Sequence, residues 1–229
     1  MANSPSVLLI GATGRLGSLV QKTDLTLSGK ISVMNADRFE EFCQKAQIIL
    51  DVSHPNVTIG LIKKLQKLKY KIPYVIGCTG FTSNQMKIVH EYSKKTCVLV
   101  SPNFSLLIQI LAKFFQENAE LLSQFGYSVS IKESHHQHKK DSPSGTAQLF
   151  ADIFKKTKPK IDSVRTGEVI GVHEVLLSGI KDTLLIKHEA HDRALFADGA
   201  RFATRWLFSH SKTCKKGLFT MQNAIEKTV

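Results

Sequence analysis

Val7-Leu8-Leu9-Ile10 runs without a break into Gly11-Ala12-Thr13-Gly14-Arg15-Leu16-Gly17, and no other stretch restricts the fold so tightly. A short, unbroken apolar run is what a strand buried on both faces requires. Glycines spaced GxxGxxG directly after it permit a tight turn, close approach of backbone to a pyrophosphate, and close packing of the next helix on the strand. Leu19 and Val20 carry on in helical spacing. Strand, glycine turn and helix in this order predict the opening of a parallel α/β domain that binds a dinucleotide.

The pattern then repeats. Residues 48–53, 74–76 and 96–100 read as further buried strands, each ending in a polar or glycine-containing loop, with helices between them. The helix after His54-Pro55 places Val57, Leu61, Leu65 and Leu68 on one face and its lysines largely off it. A second strand is expected over 31–35, followed by Asp37 and Arg38 at the distance where such folds read the adenosine ribose. Asp37 could bond a 2′-hydroxyl and Arg38 a 2′-phosphate. Asp37 equally suits the cap of a helix over 38–45, and the balance favours the cap.

After Asn103 the pattern changes. Residues 106–125 form one long, very apolar helix, read as buried. Strand-like segments follow at 127–131, 168–177 and 183–189, the last two joined by a Ser178-Gly179 turn, and a final helix covers 197–208. Residues 212–216 read as a basic turn before a polar tail. The fold expected is α/β: a shortened Rossmann-type parallel sheet over 1–104, completed by 194–229, plus an α+β domain over 105–193 built from antiparallel strands with two helices on one face.

Between the strand at 127–131 and a helix over 147–156 lies Glu133-Ser134-His135-His136-Gln137-His138-Lys139-Lys140-Asp141-Ser142-Pro143-Ser144-Gly145-Thr146-Ala147. Imidazoles can donate or accept protons near neutrality, lysine pairs with carboxylate or phosphate, and a helix N-terminus offers N–H groups to an anion. The loop therefore reads as a site for a small polyanion that must be protonated. A solvated loop would have the same composition. No cysteine neighbours His135 and His138, no HExxH is present, and only Glu133 adds a carboxylate, so a metal is not expected.

A formal charge of +12 favours anionic partners without choosing among them. The lysines are spread over several helices and no nucleic-acid motif is recognisable, so nucleic acid is not the expected partner. No apolar run reaches the length of a membrane span, and Cys43, Cys78, Cys97 and Cys214 show no CxxC spacing. With no basic-then-apolar leader before the first strand, a cytoplasmic chain with reduced thiols is expected.

The loop from Glu133 to Ala147 resembles the signature of the dihydrodipicolinate (4-hydroxy-tetrahydrodipicolinate) reductases, E-x-H-H-x-x-K-x-D-x-P-S-G-T-A, at every fixed position. Gly11 to Gly17, Asp51-Val-Ser-His-Pro55, Gly77-Cys-Thr-Gly-Phe81 and Asn103-Phe-Ser105 follow the same family's order. So do Arg165-Thr-Gly-Glu-Val-Ile-Gly171-Val-His173 and His191-Asp-Arg193-Ala-Leu-Phe196-Ala-Asp-Gly199-Ala200. The resemblance implies a homotetramer acting in diaminopimelate and lysine biosynthesis, reducing a cyclic dicarboxylate imine with NADPH or NADH. It implies His135 as proton donor and Lys139 as the group that offsets substrate charge. His136, Gly145 and Thr146 would hold the carboxylates. Gly11, Gly14 and Gly17 would take the pyrophosphate with Arg15 close by, and Gly77, Thr79, Asn103 and Phe104 would line the nicotinamide end. Arg193 and Phe196 match positions near the closed site.

Three departures stand out: a short segment over 18–50, which leaves the choice between NADH and NADPH open; His54 where many members have Arg; and Cys78 where many have Thr. Two other readings compete. GATGRLG also resembles short-chain dehydrogenases, but none of Tyr70, Tyr74, Tyr92 and Tyr127 has the lysine four residues on that those enzymes need. A dinucleotide-binding sensor, or a degenerate reductase without activity, would retain the fold alone.

Overall fold

The computed structural model describes residues 4–226. Contacts divide the chain into two compact units, one running to Phe104 and resuming at Ala194, the other spanning Ser105–Arg193. In the first unit, strands and helices alternate: β1 (Ser6–Ile10), α1 (Arg15–Val20), β2 (Thr26–Ile31), α2 (Phe39–Lys45), β3 (Ile48–Asp51), α3 (Pro55–Lys67), β4 (Tyr74–Ile76), α4 (Ser83–Ser93) and β5 (Cys97–Val100). All pairings are parallel, and β1 lies between β2 and β3, so the order reverses at β1 and its carboxyl end opens on a topological switch point. Val7, Leu8, Leu9 and Ile10 are buried, as are Ile48, Ile49, Leu50, Tyr74, Val75 and Ile76. Strands covered on both faces account for these unbroken apolar runs.

The second strand lies earlier than the expected 31–35. Asn35 ends it by taking its hydrogen bonds: its amide oxygen accepts from Ser32 N at 2.8 Å and its amide nitrogen donates to Lys30 O at 2.8 Å. A 3-10 segment over Val33–Arg38 follows. Asp37 does not cap the next helix: the cap position of α2 is Arg38, without a side-chain bond. Arg38 pairs with Glu41 at 2.9 Å and lies over the Phe42 ring.

The apolar face of α3 is also turned from the expected one. Thr58, Ile59, Ile62 and Leu65 are buried, whereas Val57 is exposed. Thr58 goes inward because its hydroxyl donates to Asp51 Oδ2 at 2.8 Å. That carboxylate is fully buried and also accepts from Tyr74 Oη at 2.8 Å and Ser53 N at 2.9 Å.

The second unit contains α5 (Leu106–Gln124), β6 (Ser128–His135), α6 (Gly145–Ile153), β7 (Lys160–Arg165), β8 (Val172–Ser178) and β9 (Thr183–Glu189). Its sheet has the order β7-β6-β8-β9. It is mixed rather than wholly antiparallel, because β7, unmarked by any apolar alternation, runs parallel to β6. On one face Val129, Ile131, Val175 and Leu177 pack against Ile108, Ala112 and Phe115 of α5 and Phe150 of α6. The expectation of a buried α5 fails along most of its length: Leu107, Ile110, Phe114 and Leu121 are exposed.

The chain then returns to the first unit with α7 (Ala194–Thr213), β10 (Gly217–Phe219) and α8 (Met221–Glu226). A turn over 214–216 follows α7, and in place of a polar tail β10 pairs with β5 as the sixth parallel strand. A Cβ on Gly199 would sit 1.8 Å from Phe104 O, so only glycine lets α7 lie this close. Among the described residues no helix is long and apolar enough to cross a membrane.

Candidate active site

Alternation along β6 sends Val129, Ile131, Glu133 and His135 to one face. Cross-strand register adds His173 opposite Glu133, His188 opposite His173, and Arg165 beside His135. One face of this sheet is thus apolar at one end and titratable at the other.

Glu133 is 0 % exposed. Arg165 donates to Oε1 from Nη2 at 2.7 Å and to Oε2 from Nη1 at 3.0 Å, and Ser144 N donates to Oε1 at 3.2 Å. His135 Nδ1 lies within hydrogen-bond distance of Oε2. Burial alone would raise the pKa of this carboxyl, but Arg165 leads a set of donors that holds it at about 2. His135 moves downward, mainly through burial, against the opposing pull of Glu133. His173, edge-on to His135 with ring centroids 5.1 Å apart, is pushed down to about 3 by burial and by the imidazoles either side. It shares a 3.1 Å hydrogen bond with Ser144 Oγ.

Beyond β6 the chain turns so that Lys139 N donates to His136 O at 3.1 Å. The Lys139 ammonium meets Asp141 Oδ1 at 2.7 Å, and Arg165 Nη2 reaches Asp141 O at 2.6 Å. Ser144 caps α6 through Ala147 N, which makes Gly145 and Thr146 the first helical residues. The first N–H groups of a helix point out of its end, where an anion can accept from them. His135, Lys139, the α6 N-terminus and, beside His135, His136 are thus carried by one strand, its following turn and the next helix.

In the first unit Gly11 has φ +80°, and a Cβ there would lie 2.9 Å from Ser53 N. Gly11 and Ala12 donate to Ile31 O at 3.0 and 3.2 Å, and a Cβ on Gly17 would fall 2.1 Å from Gly11 O. The turn is therefore a tight backbone turn at the carboxyl end of β1 that admits no side chain at positions 11 and 17, with Gly14 as the α1 cap and Arg15 at its first position. Gly77 and Thr79 follow β4 and Asn103 follows β5. Phe104 is buried, its ring so close under Gly77 that a Cβ there would meet Cε2 at 2.5 Å. His54 caps α3 by accepting from Asn56 N at 3.3 Å. Cys78 is buried beside Thr58 and Asp51, and burial pushes its thiol up to about 12. Arg193 and Phe196 are partly exposed, one in each unit.

Comparison with known proteins decides what these two constellations belong to. The family profile "Dihydrodipicolinate reductase, N-terminus" matches residues 5–104, and "Dihydrodipicolinate reductase, C-terminus" matches 108–225. The chain belongs to the dihydrodipicolinate reductase family. It is 33% identical to the 4-hydroxy-tetrahydrodipicolinate reductase of Rickettsia bellii (strain OSU 85-389), over 93% of this chain and 91% of that one. The enzyme of the same name from Pelagibacter ubique (strain HTCC1062) is 32% identical over 96% and 97%. Among solved structures, dipicolinate-bound dihydrodipicolinate reductase from Paenisporosarcina sp. TG-14 shares the fold, with a TM-score of 0.76 at 19% identity, over 96% of this chain and 99% of that one.

Members of this family are oxidoreductases using NAD(P)H. Set against that, sequence reasoning overlooked the carboxylate that holds the imidazole and its clamp, Glu133 and Arg165, as well as His173. The signal was present: Glu133 and His135 are two apart in an alternating strand, and Arg165 and His173 belong to a quoted motif.

Proposed function

We propose that this chain reduces 4-hydroxy-tetrahydrodipicolinate to tetrahydrodipicolinate with NADPH or NADH, in the route to diaminopimelate and lysine. The observation that carries the reading is one loop that combines an imidazole held by an ionised carboxylate, a lysine ammonium and a helix N-terminus. A dicarboxylate needing a proton fits that set. A pyrophosphate fits the glycine turn at the carboxyl end of β1, where a Cβ at Gly11 or Gly17 would clash with backbone.

Bound to the first unit, the nicotinamide nucleotide supplies the hydride. Gly11, Gly14, Gly17 and Arg15 would hold its phosphates, and Gly77, Thr79, Asn103 and Phe104 its nicotinamide end. In the second unit, Lys139 exchanges Asp141 for a substrate carboxylate and offsets the negative charge that develops, an effect that is usually the largest in such sites. His136 and the N–H groups of Gly145 and Thr146 orient the carboxylates. His135 gives the proton that the electron-rich reduced ring must take up.

The first unit, residues 1–104 with 194–229, serves as the dinucleotide-binding domain, and 105–193 as the substrate and tetramerisation domain of a cytoplasmic homotetramer. Apolar side chains open to solvent support the assembly: Leu107, Ile110 and Phe114 on α5, and Leu184 and Leu185 on β9.

The test is oxidation of NADPH and NADH, measured separately, with the unstable substrate made in situ by its synthase. Turnover supports the reading, and the ratio of kcat/KM values ranks the coenzymes. No turnover with either, where a known reductase works, overturns it.

A further inference from the structure

Glu133 has no task in the reaction just described, yet it is the most enclosed carboxylate of the second unit. A structural ion pair would need only Arg165. Glu133 has a third kind of partner: His135, two residues along the same strand face, whose Nδ1 lies on Oε2. An ionised carboxylate only accepts, so Nδ1 must carry a hydrogen. Neutral His135 is then the Nδ1–H tautomer with Nε2 bare, and the proton that the imidazolium can release sits on Nε2. Nε2 borders the Gly171 backbone, where a Cβ would come within 3.0 Å.

We propose that Glu133 is a positioning residue for proton delivery: it holds His135 by Nδ1 so that the proton leaves from Nε2, on the side lined by Gly171. The proposal rests on His135 being the proton donor of the reductase. The other groups facing His135 are Arg165 on β7, Lys139 and Asp141 in the loop, and His173 on β8. Burial, Lys139 and Arg165 disfavour the imidazolium, whereas Glu133 favours it. Without the Glu133 charge, His135 loses its proton at lower pH.

Two measurements on the full chain test this. In the unsubstituted protein with nitrogen-15 histidine, His135 is assigned by the signals lost in His135→Gln and followed through a pH titration. The neutral ring is expected as the Nδ1–H tautomer. An Nε2–H tautomer overturns the proposal, whether or not the chain reduces the substrate. In Glu133→Gln, the limb of the kcat profile that falls with rising pH is expected to move by ~1 unit or more to lower pH. The value of kcat near neutrality drops about 10²-fold, while KM for the dicarboxylate stays within roughly 3-fold. A limb left in place in folded Glu133→Gln makes Glu133 a purely structural residue. If that variant does not fold, the tautomer decides alone. An unsubstituted chain without turnover counts against the reductase reading and leaves the tautomer measurement standing.

Discussion

Arg165 grips Glu133 with two nitrogens, at 2.7 and 3.0 Å, from the strand that runs parallel to the carboxylate's own. Bidentate pairing of this kind is directional as well as strong. It leaves Oε2 turned to His135, so the orientation of the imidazole is inherited from a clamp on a neighbouring strand.

His135→Gln removes the proton donor and keeps a side chain of similar reach. Turnover should fall on the order of 10²–10⁴-fold with a modest change in KM. Steady-state kinetics reads both, and a change confined to KM would contradict the donor role.

Among the described residues Lys139 pairs with Asp141, an exposed partner that a substrate carboxylate can replace. Lys139→Ala should lose roughly 10²-fold or more in turnover. Nucleotide binding, followed by quenching of protein fluorescence, should survive. Unchanged turnover would remove Lys139 from the mechanism.

Gly171→Ala puts a methyl 3.0 Å from His135 Nε2, and the ring cannot retreat while Glu133 holds it. A misplacement of a few tenths of an ångström should cost about 10-fold in kcat. The melting temperature should change little. Full activity would mean that the proton leaves elsewhere.

Two buried groups link stability to pH in the same direction. Glu133, held at about 2 in the folded chain against ~4.3 unfolded, contributes stability above ~4.3 that is lost as pH falls towards 2. His173, near 3 folded against ~6.5 unfolded, lets the unfolded chain take up a proton that the folded one refuses. Stability should therefore decline from pH ~6.5 downward, by on the order of 2 kcal/mol at pH 4.5. Urea titrations at several pH values measure this. His173→Asn should flatten the curve above pH ~4.5, and an identical slope in that variant would reject the assignment.

Leu184 and Leu185 are 52% and 56% exposed. In a tetramer assembled through this sheet, Leu185→Asp should shift the sedimenting species to lower mass, with the fold intact by circular dichroism. An unchanged sedimentation coefficient would move the interface elsewhere.

Much of the fold was readable because its signals are local. Val7 to Ile10 and Gly11 to Gly17 carry strand, turn and helix in eleven consecutive positions. The strand β7 was not readable: Lys160–Arg165 is polar and mostly exposed, and it is a strand only because β6 lends it hydrogen bonds. The same holds for β10, three residues that pair with β5 far away in the chain. The α3 face was misjudged because Thr58 looks polar until its hydroxyl meets Asp51.

What the sequence determined by itself is the chemistry available: a glycine turn that admits a backbone cradle, and a loop rich in imidazole, ammonium and helix-capping groups. Spacing along the chain suffices for both, because each is built within one strand, one turn and one helix. Which nitrogen of His135 carries the hydrogen was decided only by tertiary structure. That depends on a carboxylate kept ionised by an arginine on another strand, and on a buried backbone at Gly171 beside the remaining nitrogen. Residues far apart in sequence meet there because sheet register brings them together, and burial then gives each charge its strength.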